Sequence, residues 1–430
     1  MHRNFNKASF RDFENIPGLN PWERAVEFKG YLEYLEGKGH LNYRMKVVEN
    51  LGPEVVLERN GFENRRYVSL VSNDYLGLSR HPKVIEAAVA GLREFGTGTG
   101  ASPAIGGHFE FHALLEKKIA GFFGKTDAIC YTTGYTANSA TLQCLLKKED
   151  LAILDMAVHA SVYEGCQLTN VKRFLHNDME DLERILKQSK DHYRTRLVVV
   201  DGVYSQDGDI AKLKEIIALA KHYGAFVMID DAHGVGVLGE AGRGVVELLD
   251  VLDDVDIISG TFSKTFGHLG GYVIASAELI RFLKFQSRQH LFSVTSTPAS
   301  ACILKSIDLI DEEPLWREQL LDNAAYLKAG LKGLGFDIGS TVSAIIPVKI
   351  GDPEHTREVG RLLLEAGVYA NPITYPAVAL KDARVRMSVL ATHTQEHLDM
   401  VLNAYAYVRS KLKTNRKWEG DEIKNKLLQN

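Results

Sequence analysis

Phe226-Val227-Met228-Ile229-Asp230-Asp231-Ala232-His233-Gly234 decides the architecture of this chain: four apolar residues without alternation run straight into two carboxylates, a histidine and a glycine. An unalternated apolar run of that length reads as a strand buried on both faces, the habit of parallel sheets covered by helices. The same texture recurs at residues 128–131, 151–154, 197–200, 256–259 and 272–275, with helical segments between many of them. Together they predict an α/β domain built on a large, mostly parallel sheet.

Working outward, residues 1–70 are expected to hold an N-terminal helix and a hairpin. Pro21 opens the helix over 21–38, where Trp22, Val26, Tyr31, Leu32 and Leu35 recur at near-helical spacing. Residues 55–61 and 66–70 read as hairpin strands around an Asn60-Gly61 turn. The large domain is expected over 71–310. A smaller α+β domain follows over 311–410, with the alternating stretch Ala344-Ile345-Ile346-Pro347-Val348-Lys349-Ile350, a helix near 355–366 and another from Gln395. A charged tail occupies 411–430.

Composition excludes several classes. The 430 residues carry a formal net charge of −4, which gives no global pull toward nucleic acid or anionic membrane. The four cysteines, Cys130, Cys144, Cys166 and Cys302, lie far apart and form no CxxC pair, which points to buried thiols in a reducing compartment and not to a disulfide framework or zinc site. The polar start Met1-His2-Arg3-Asn4-Phe5-Asn6-Lys7 lacks the apolar stretch of a secretory signal, and no run approaches the roughly 18 apolar residues of a membrane span. A cytoplasmic location is therefore expected.

In an open α/β sheet, ligands sit at the carboxyl ends of the strands. Five consecutive strand exits carry polar groups there. Thr132-Thr133-Gly134-Tyr135 opens a helix, where backbone N–H groups can bind phosphate. His159 follows the 151–154 strand and offers a flat ring, while Ser205 follows the 197–200 strand. Asp230 and His233 follow the next strand, and a buried carboxylate needs a cationic partner. Thr261-Phe262-Ser263-Lys264 ends the series, with hydroxyls beside an amine that desolvation would make nucleophilic. Taken singly, each has an ordinary reading: a helix cap, a satisfied loop histidine, a turn serine, a core histidine, a solvated lysine. Taken jointly, they are the parts of a pyridoxal-5′-phosphate (PLP) site: an imine-forming lysine, a pyridinium partner, a ring stacker and a phosphate cradle.

Several motifs in order resemble the α-oxoamine synthase family of PLP enzymes. They are Ser72-Asn73-Asp74-Tyr75-Leu76-Gly77-Leu78, His159-Ala160-Ser161, Asp230-Asp231-Ala232-His233 and Thr261-Phe262-Ser263-Lys264, within a likeness running from about Ser72 to about His397. The resemblance implies the aspartate-aminotransferase-like fold (PLP fold type I). It also implies roles: Lys264 carries PLP and later moves the substrate α-proton, Asp230 pairs with the pyridinium nitrogen, and His159 stacks on the ring. His233 and Ser205 approach the ring hydroxyl, and Gly134, Tyr135, Thr261 and Ser263 hold the phosphate. Asn73 and Arg386 face substrate, Arg386 as the clamp on the amino-acid carboxylate; no metal is implied.

The reaction implied is a decarboxylating condensation of a small L-amino acid with a long-chain acyl thioester, on coenzyme A or an acyl carrier protein, to give an α-amino ketone. Tyr375-Pro376-Ala377-Val378 followed by Ala391-Thr392-His393-Thr394 is more similar to the family's bacterial serine palmitoyltransferases than to members with Pro-Thr-Val there. Pro103 stands where the family usually has arginine, and Glu164 where aspartate is common. These departures put cysteate beside serine as the amino acid. The other readings are 8-amino-7-oxononanoate synthase, 2-amino-3-ketobutyrate CoA ligase, a PLP aminotransferase, and a non-catalytic scaffold of the same fold. Phe292-Ser293-Val294-Thr295-Ser296-Thr297-Pro298 resembles the stretch that reaches a neighbouring subunit's phosphate, which implies a homodimer with shared sites. Trp22 and Phe28 on the N-terminal helix suggest either peripheral contact with the inner membrane or packing within the protein.

Overall fold

The computed structural model describes residue 5 and residues 8–59 and 62–413. The Asn60-Gly61 turn and the tail beyond 413 lie outside the described residues. The chain divides into two compact units, Met1–Ser72 with Asp322–Thr341 and Ile345–Asn430, and Asn73–Leu321 with Val342–Ala344.

In the first unit a 3-10 turn at Phe10–Phe13 precedes helix Pro21–Gly37. Its start is dictated locally: Asn20 Oδ1 accepts from the backbone N–H of Trp22 and Glu23, and Glu23 Oε2 accepts from the Asn20 N–H in return. The apolar stripe expected along this helix is only half realised. Tyr31 and Leu35 are buried with Phe13, Tyr31 stacking on Phe13 at 5.0 Å, whereas Trp22 and Val26 are 80% and 71% exposed. Phe28 packs against that cluster. Strands β1 (Lys46–Asn50), β2 (Glu54–Arg59) and β3 (Phe62–Ser69) then pair antiparallel in chain order. The β2–β3 hairpin was legible; β1 is exposed along its whole length and carries no apolar alternation.

The second unit contains a seven-stranded sheet made of β4 (Ala128–Tyr131), β5 (Leu151–Asp155), β6 (Asn170–Phe174), β7 (Arg196–Asp201), β8 (Phe226–Asp230), β9 (Ile257–Thr261) and β10 (Gly271–Ile274), in the order β4-β10-β9-β8-β7-β5-β6. Strands β6, β5, β7, β8 and β9 run parallel, and β10 pairs antiparallel with both β9 and β4. The sheet is thus mostly parallel, as expected. All residues of β4, β5, β7, β9 and β10 are buried, which explains why their sequences do not alternate. Their side chains share one core, in which Ile129, Leu154, Val199, Met228 and Val273 pack with Leu142 and Leu283 from neighbouring helices. Strand β6 escaped notice in the sequence because it is a polar edge strand: Asn170, Val171 and Arg173 are exposed, as suits a strand that must not recruit another.

The remaining strands, β11 (Ile345–Gly351), β12 (Val368–Tyr369), β13 (Asn371–Ile373) and β14 (Ala383–Ser388), return to the first unit. Strand β12 extends the β1-β2-β3 sheet, and β14 lies between β11 and β13 in a separate antiparallel sheet. Helix Pro353–Glu365 packs against β13 and β14, and helix Gln395–Lys413 follows.

Three buried histidines tie the fold to pH. His393 accepts from the Leu390 N–H and bonds the Ser69 carbonyl, His112 accepts from the Phe109 N–H, and His290 meets the Cys130 carbonyl. Burial lowers all three from 6.5 to about 4. At these three sites the unfolded chain binds more protons than the folded one between these values, so their contribution to stability falls as the pH drops from 6.5 toward 4. His393→Gln should therefore lose less stability than the wild type across that window, read as a narrowing gap between their melting temperatures. A gap that stays constant as the pH falls would contradict this assignment.

Candidate active site

The carboxyl ends of the parallel strands surround a cavity of about 240 Å³. Gly134, Tyr135, His159, Ser205, Asp230, His233, Thr261, Ser263 and Lys264 all line it, together with Thr133, Asn138, Asp201, Val203 and Ala232. The sheet register accounts for the convergence, since adjacent parallel strands deliver their next residues to one edge.

Each wall is built locally. After β4, Thr133 Oγ1 caps helix Gly134–Leu145 by accepting from the Thr136 N–H at 2.9 Å. A Cβ on Gly134 would lie 2.7 Å from Thr261 Cβ, so only glycine lets this helix start approach the β9 exit. On that opposite side, Thr261 Oγ1 donates to the Gly270 carbonyl and accepts from the Ser263 N–H. After β5, His159 Nδ1 accepts from the Ser161 N–H at 3.3 Å and lies 2.8 Å from Ser161 Oγ, which places the proton of the neutral ring on Nε2.

Asp230 ends β8 as a buried carboxylate. It accepts from Asn138 Nδ2 at 2.5 Å and from the Ala232 N–H at 3.0 Å. Both donors are neutral, so the charge is left for a cationic ligand group to answer. Asn138 is itself held by Ser259 Oγ, which donates to its Oδ1 at 2.6 Å. Beside Asp230, Asp201 is fully buried; burial and the Asp230 charge hold its carboxyl well above the usual range. Asp231 points away from the cavity, wedged against Gly202, Gly234 and Gly244, and accepts from the Val245 N–H at 2.6 Å. Burial raises its carboxyl to about 7.

Lys264 Nζ lies 2.7 Å from His233 Nε2, and His233 Nδ1 lies 2.7 Å from Tyr75 Oη. Tyr75 is wholly buried, so the three groups form a fixed line from the interior to the cavity. Asn73 is bonded by the Tyr75 hydroxyl at 3.4 Å and does not line the cavity. Arg386 belongs to the other unit, where it is buried on β14 and donates to Ser388 Oγ at 3.0 Å.

Sequence reasoning missed Asn138, Asp201 and the specific use of Tyr75. Asn138 lies one helical turn beyond Gly134, a spacing that puts both on one helix face. Asp201 stands at a strand exit like Asp230 and bore the same signal.

The residues fit PLP chemically. A buried carboxylate held by neutral hydrogen-bond donors suits a pyridinium nitrogen, the Gly134 helix start and nearby hydroxyls suit a phosphate, and a lysine amine faces the same space. The family model for aminotransferase class I and II matches residues 65–404. The 8-amino-7-oxononanoate synthase of Thermoanaerobacter pseudethanolicus is 42% identical over 388 residues, 89% of this chain and 97% of that protein. The serine palmitoyltransferase of Bacteroides thetaiotaomicron is 39% identical over 331 residues, 76% of this chain and 84% of that protein. Among solved structures, the Sphingomonas wittichii serine palmitoyltransferase matches with a TM-score of 0.86 at 33% identity, over 91% of this chain and 98% of its own. A serine palmitoyltransferase with PLP internal aldimine matches with the same TM-score, identity and coverage. The chain belongs to the class I and II aminotransferase family and, within it, to the α-oxoamine synthases, PLP-dependent acyltransferases of fold type I.

Proposed function

We propose that the protein joins a small L-amino acid, serine or its relative cysteate, to a long-chain acyl thioester, releasing carbon dioxide and the thiol to leave an α-amino ketone. The observation that carries this reading is the line Tyr75–His233–Lys264 ending in the same cavity as the unanswered carboxylate Asp230. Bound PLP supplies an electron sink for the carbanion at the amino-acid α-carbon.

The protein's groups divide the remaining work. Lys264 would hold the cofactor through its amine, and the same amine, when free, would accept the substrate α-proton. His233, fixed by Tyr75, keeps that amine aimed into the cavity at 2.7 Å. Asp230, held by Asn138, keeps the ring nitrogen cationic, and His159 covers the ring face. Ser205 bonds the ring hydroxyl. The N–H groups of Gly134 and Tyr135 hold the phosphate with the Thr261 and Ser263 hydroxyls. Arg386 clamps the amino-acid carboxylate through its planar fork, with Asn73 beside the substrate.

A second reading, 8-amino-7-oxononanoate synthase activity, is favoured by the 42% identity to the Thermoanaerobacter pseudethanolicus protein. Against it stand the serine palmitoyltransferase structures at a TM-score of 0.86 and the Tyr375-Pro376-Ala377-Val378 stretch. A homodimer is part of the proposal, supported by Phe292 and Val294, which are exposed in the stretch that resembles a subunit-crossing segment. A cytoplasmic setting is supported by four free cysteines, three of them buried. Among the described residues no helix is long and apolar enough to cross a membrane.

Purified protein loaded with PLP should release thiol from a long-chain acyl-CoA in the presence of serine or cysteate, with an α-amino ketone as product. Lys264→Ala should lower turnover by roughly 10³-fold or more. Conversion of PLP to pyridoxamine phosphate with release of a keto acid, at catalytic rates, would replace this reading with an aminotransferase. Formation of 8-amino-7-oxononanoate would establish the second reading. Arg386→Lys should raise KM for the amino acid by about tenfold while leaving KM for the acyl thioester in place; an unchanged amino-acid KM would remove Arg386 from the site.

A further inference from the structure

His176 follows β6, outside the cavity lining, and nothing in the proposed chemistry uses it. Its ring nevertheless spans two carboxylates. Nδ1 lies 3.1 and 3.2 Å from the two oxygens of Asp155, at the end of β5, and Nε2 lies 2.9 Å from Asp209, in the turn after β7. Asp155 is completely buried and Asp209 is partly exposed, its side chain at 17%. Two carboxylates facing the two ring nitrogens require both to carry protons, so the ring is an imidazolium. The contacts raise it to about 10 despite burial.

The carboxylates it joins also fix backbone. Asp155 accepts from the N–H of Ala157, two residues before His159, and from the N–H of Asn177. Asp209 closes the turn that carries Ser205: its carbonyl accepts from the Tyr204 N–H, and the Tyr204 carbonyl accepts from the Gly208 N–H. Asn177 repeats the link, with a left-handed backbone (φ 54°) that lets its side chain donate to the Ile210 carbonyl and accept from the Lys212 N–H. The Tyr204 ring stands edge-on to His176 at 4.3 Å, and Ser205 follows it directly.

We propose that His176 is a positioning residue for the cofactor cavity: a charged crosspiece between Asp155 and Asp209 that sets the distance between the His159 wall and the Ser205 wall. The inference rests on the PLP reading for what the walls hold, and on the geometry alone for the crosspiece. Of the other ionisable groups in this region, Tyr204 is a neutral phenol, burial and the Asp230 charge raise the Asp201 carboxyl, Arg173 is engaged by Tyr163, and Asp181, beyond β6, is engaged by the Leu175 N–H and Arg184. A neutral substitute would leave two acids close together beside Asp201 and Asp230, and the two walls would part.

The test compares His176→Gln, which keeps a donor without charge, with His176→Lys, which keeps the charge. In the cofactor-free protein, imidazole ¹⁵N NMR should show one histidine with both nitrogens protonated at pH 8.5, and that signal should vanish in His176→Gln. At a temperature where both variants stay folded, His176→Gln should bind PLP about tenfold or more weakly, and His176→Lys should recover much of the loss. A wild-type spectrum in which every histidine is neutral at pH 8.5 would overturn the proposal. Unchanged PLP affinity in a folded His176→Gln protein would also overturn it, while leaving the acyltransferase reading in place. Failure of the wild-type protein to bind PLP would instead sink that reading, and hydrogen exchange at Ser205 and His159 in the cofactor-free variant would then decide the crosspiece: faster exchange than wild type supports it and equal exchange refutes it.

Discussion

Three neighbouring parallel strands, β5, β7 and β8, end in Asp155, Asp201 and Asp230, each almost completely removed from water. That concentration of acid at one edge of a dry sheet is the constraint around which the rest of the site is arranged. An isolated buried carboxylate is strongly disfavoured, and three in a row multiply the problem. The protein answers each one differently. Asp155 meets the His176 imidazolium, burial beside Asp230 raises the Asp201 carboxyl, and Asp230 accepts from the neutral donors Asn138 and the Ala232 N–H. Along the sheet edge the sequence of groups is therefore cation at His176, three acids, and then the amine of Lys264 after β9.

This arrangement suits a group such as PLP. A cationic heterocycle would complete the charge pattern at Asp230, with the Lys264 amine facing the same cavity. A phosphate would be repelled by the acids and would find donors at the Gly134 helix start and the Thr261 hydroxyl. Asp231 shows how closely the backbone is fitted behind the site: its carboxylate fills the space that side chains on Gly202, Gly234 and Gly244 would need. The two adjacent aspartates thus face different ways, one into the cavity and one into the fold.

Much of this was legible in the sequence, for a physical reason. Strands buried on both faces cannot alternate, so they appear as short apolar runs, and their ends appear as abrupt polar residues. Asp230, His233, Thr261 and Lys264 were visible on that ground alone. Strand β6 was not, because an edge strand with Asn170, Lys172 and Arg173 has the composition of a loop. His176 was hidden for the same reason, since its meaning depends on partners from β5 and from the turn after β7. Asn138 was hidden inside a helix, where nothing local marks it as the holder of Asp230. Arg386 could be singled out only through resemblance, and the exposure of Trp22 and Val26 shows that helical spacing alone does not say which residues meet the core.

Everything at this site depends on which lysine carries the cofactor. Reduction of the PLP-loaded protein with borohydride, followed by proteolysis and mass spectrometry, should find a single phosphopyridoxyl group, on the peptide containing Thr261-Phe262-Ser263-Lys264 and on Lys264 itself. A modification on any other lysine, or none at all in protein saturated with PLP, would contradict it.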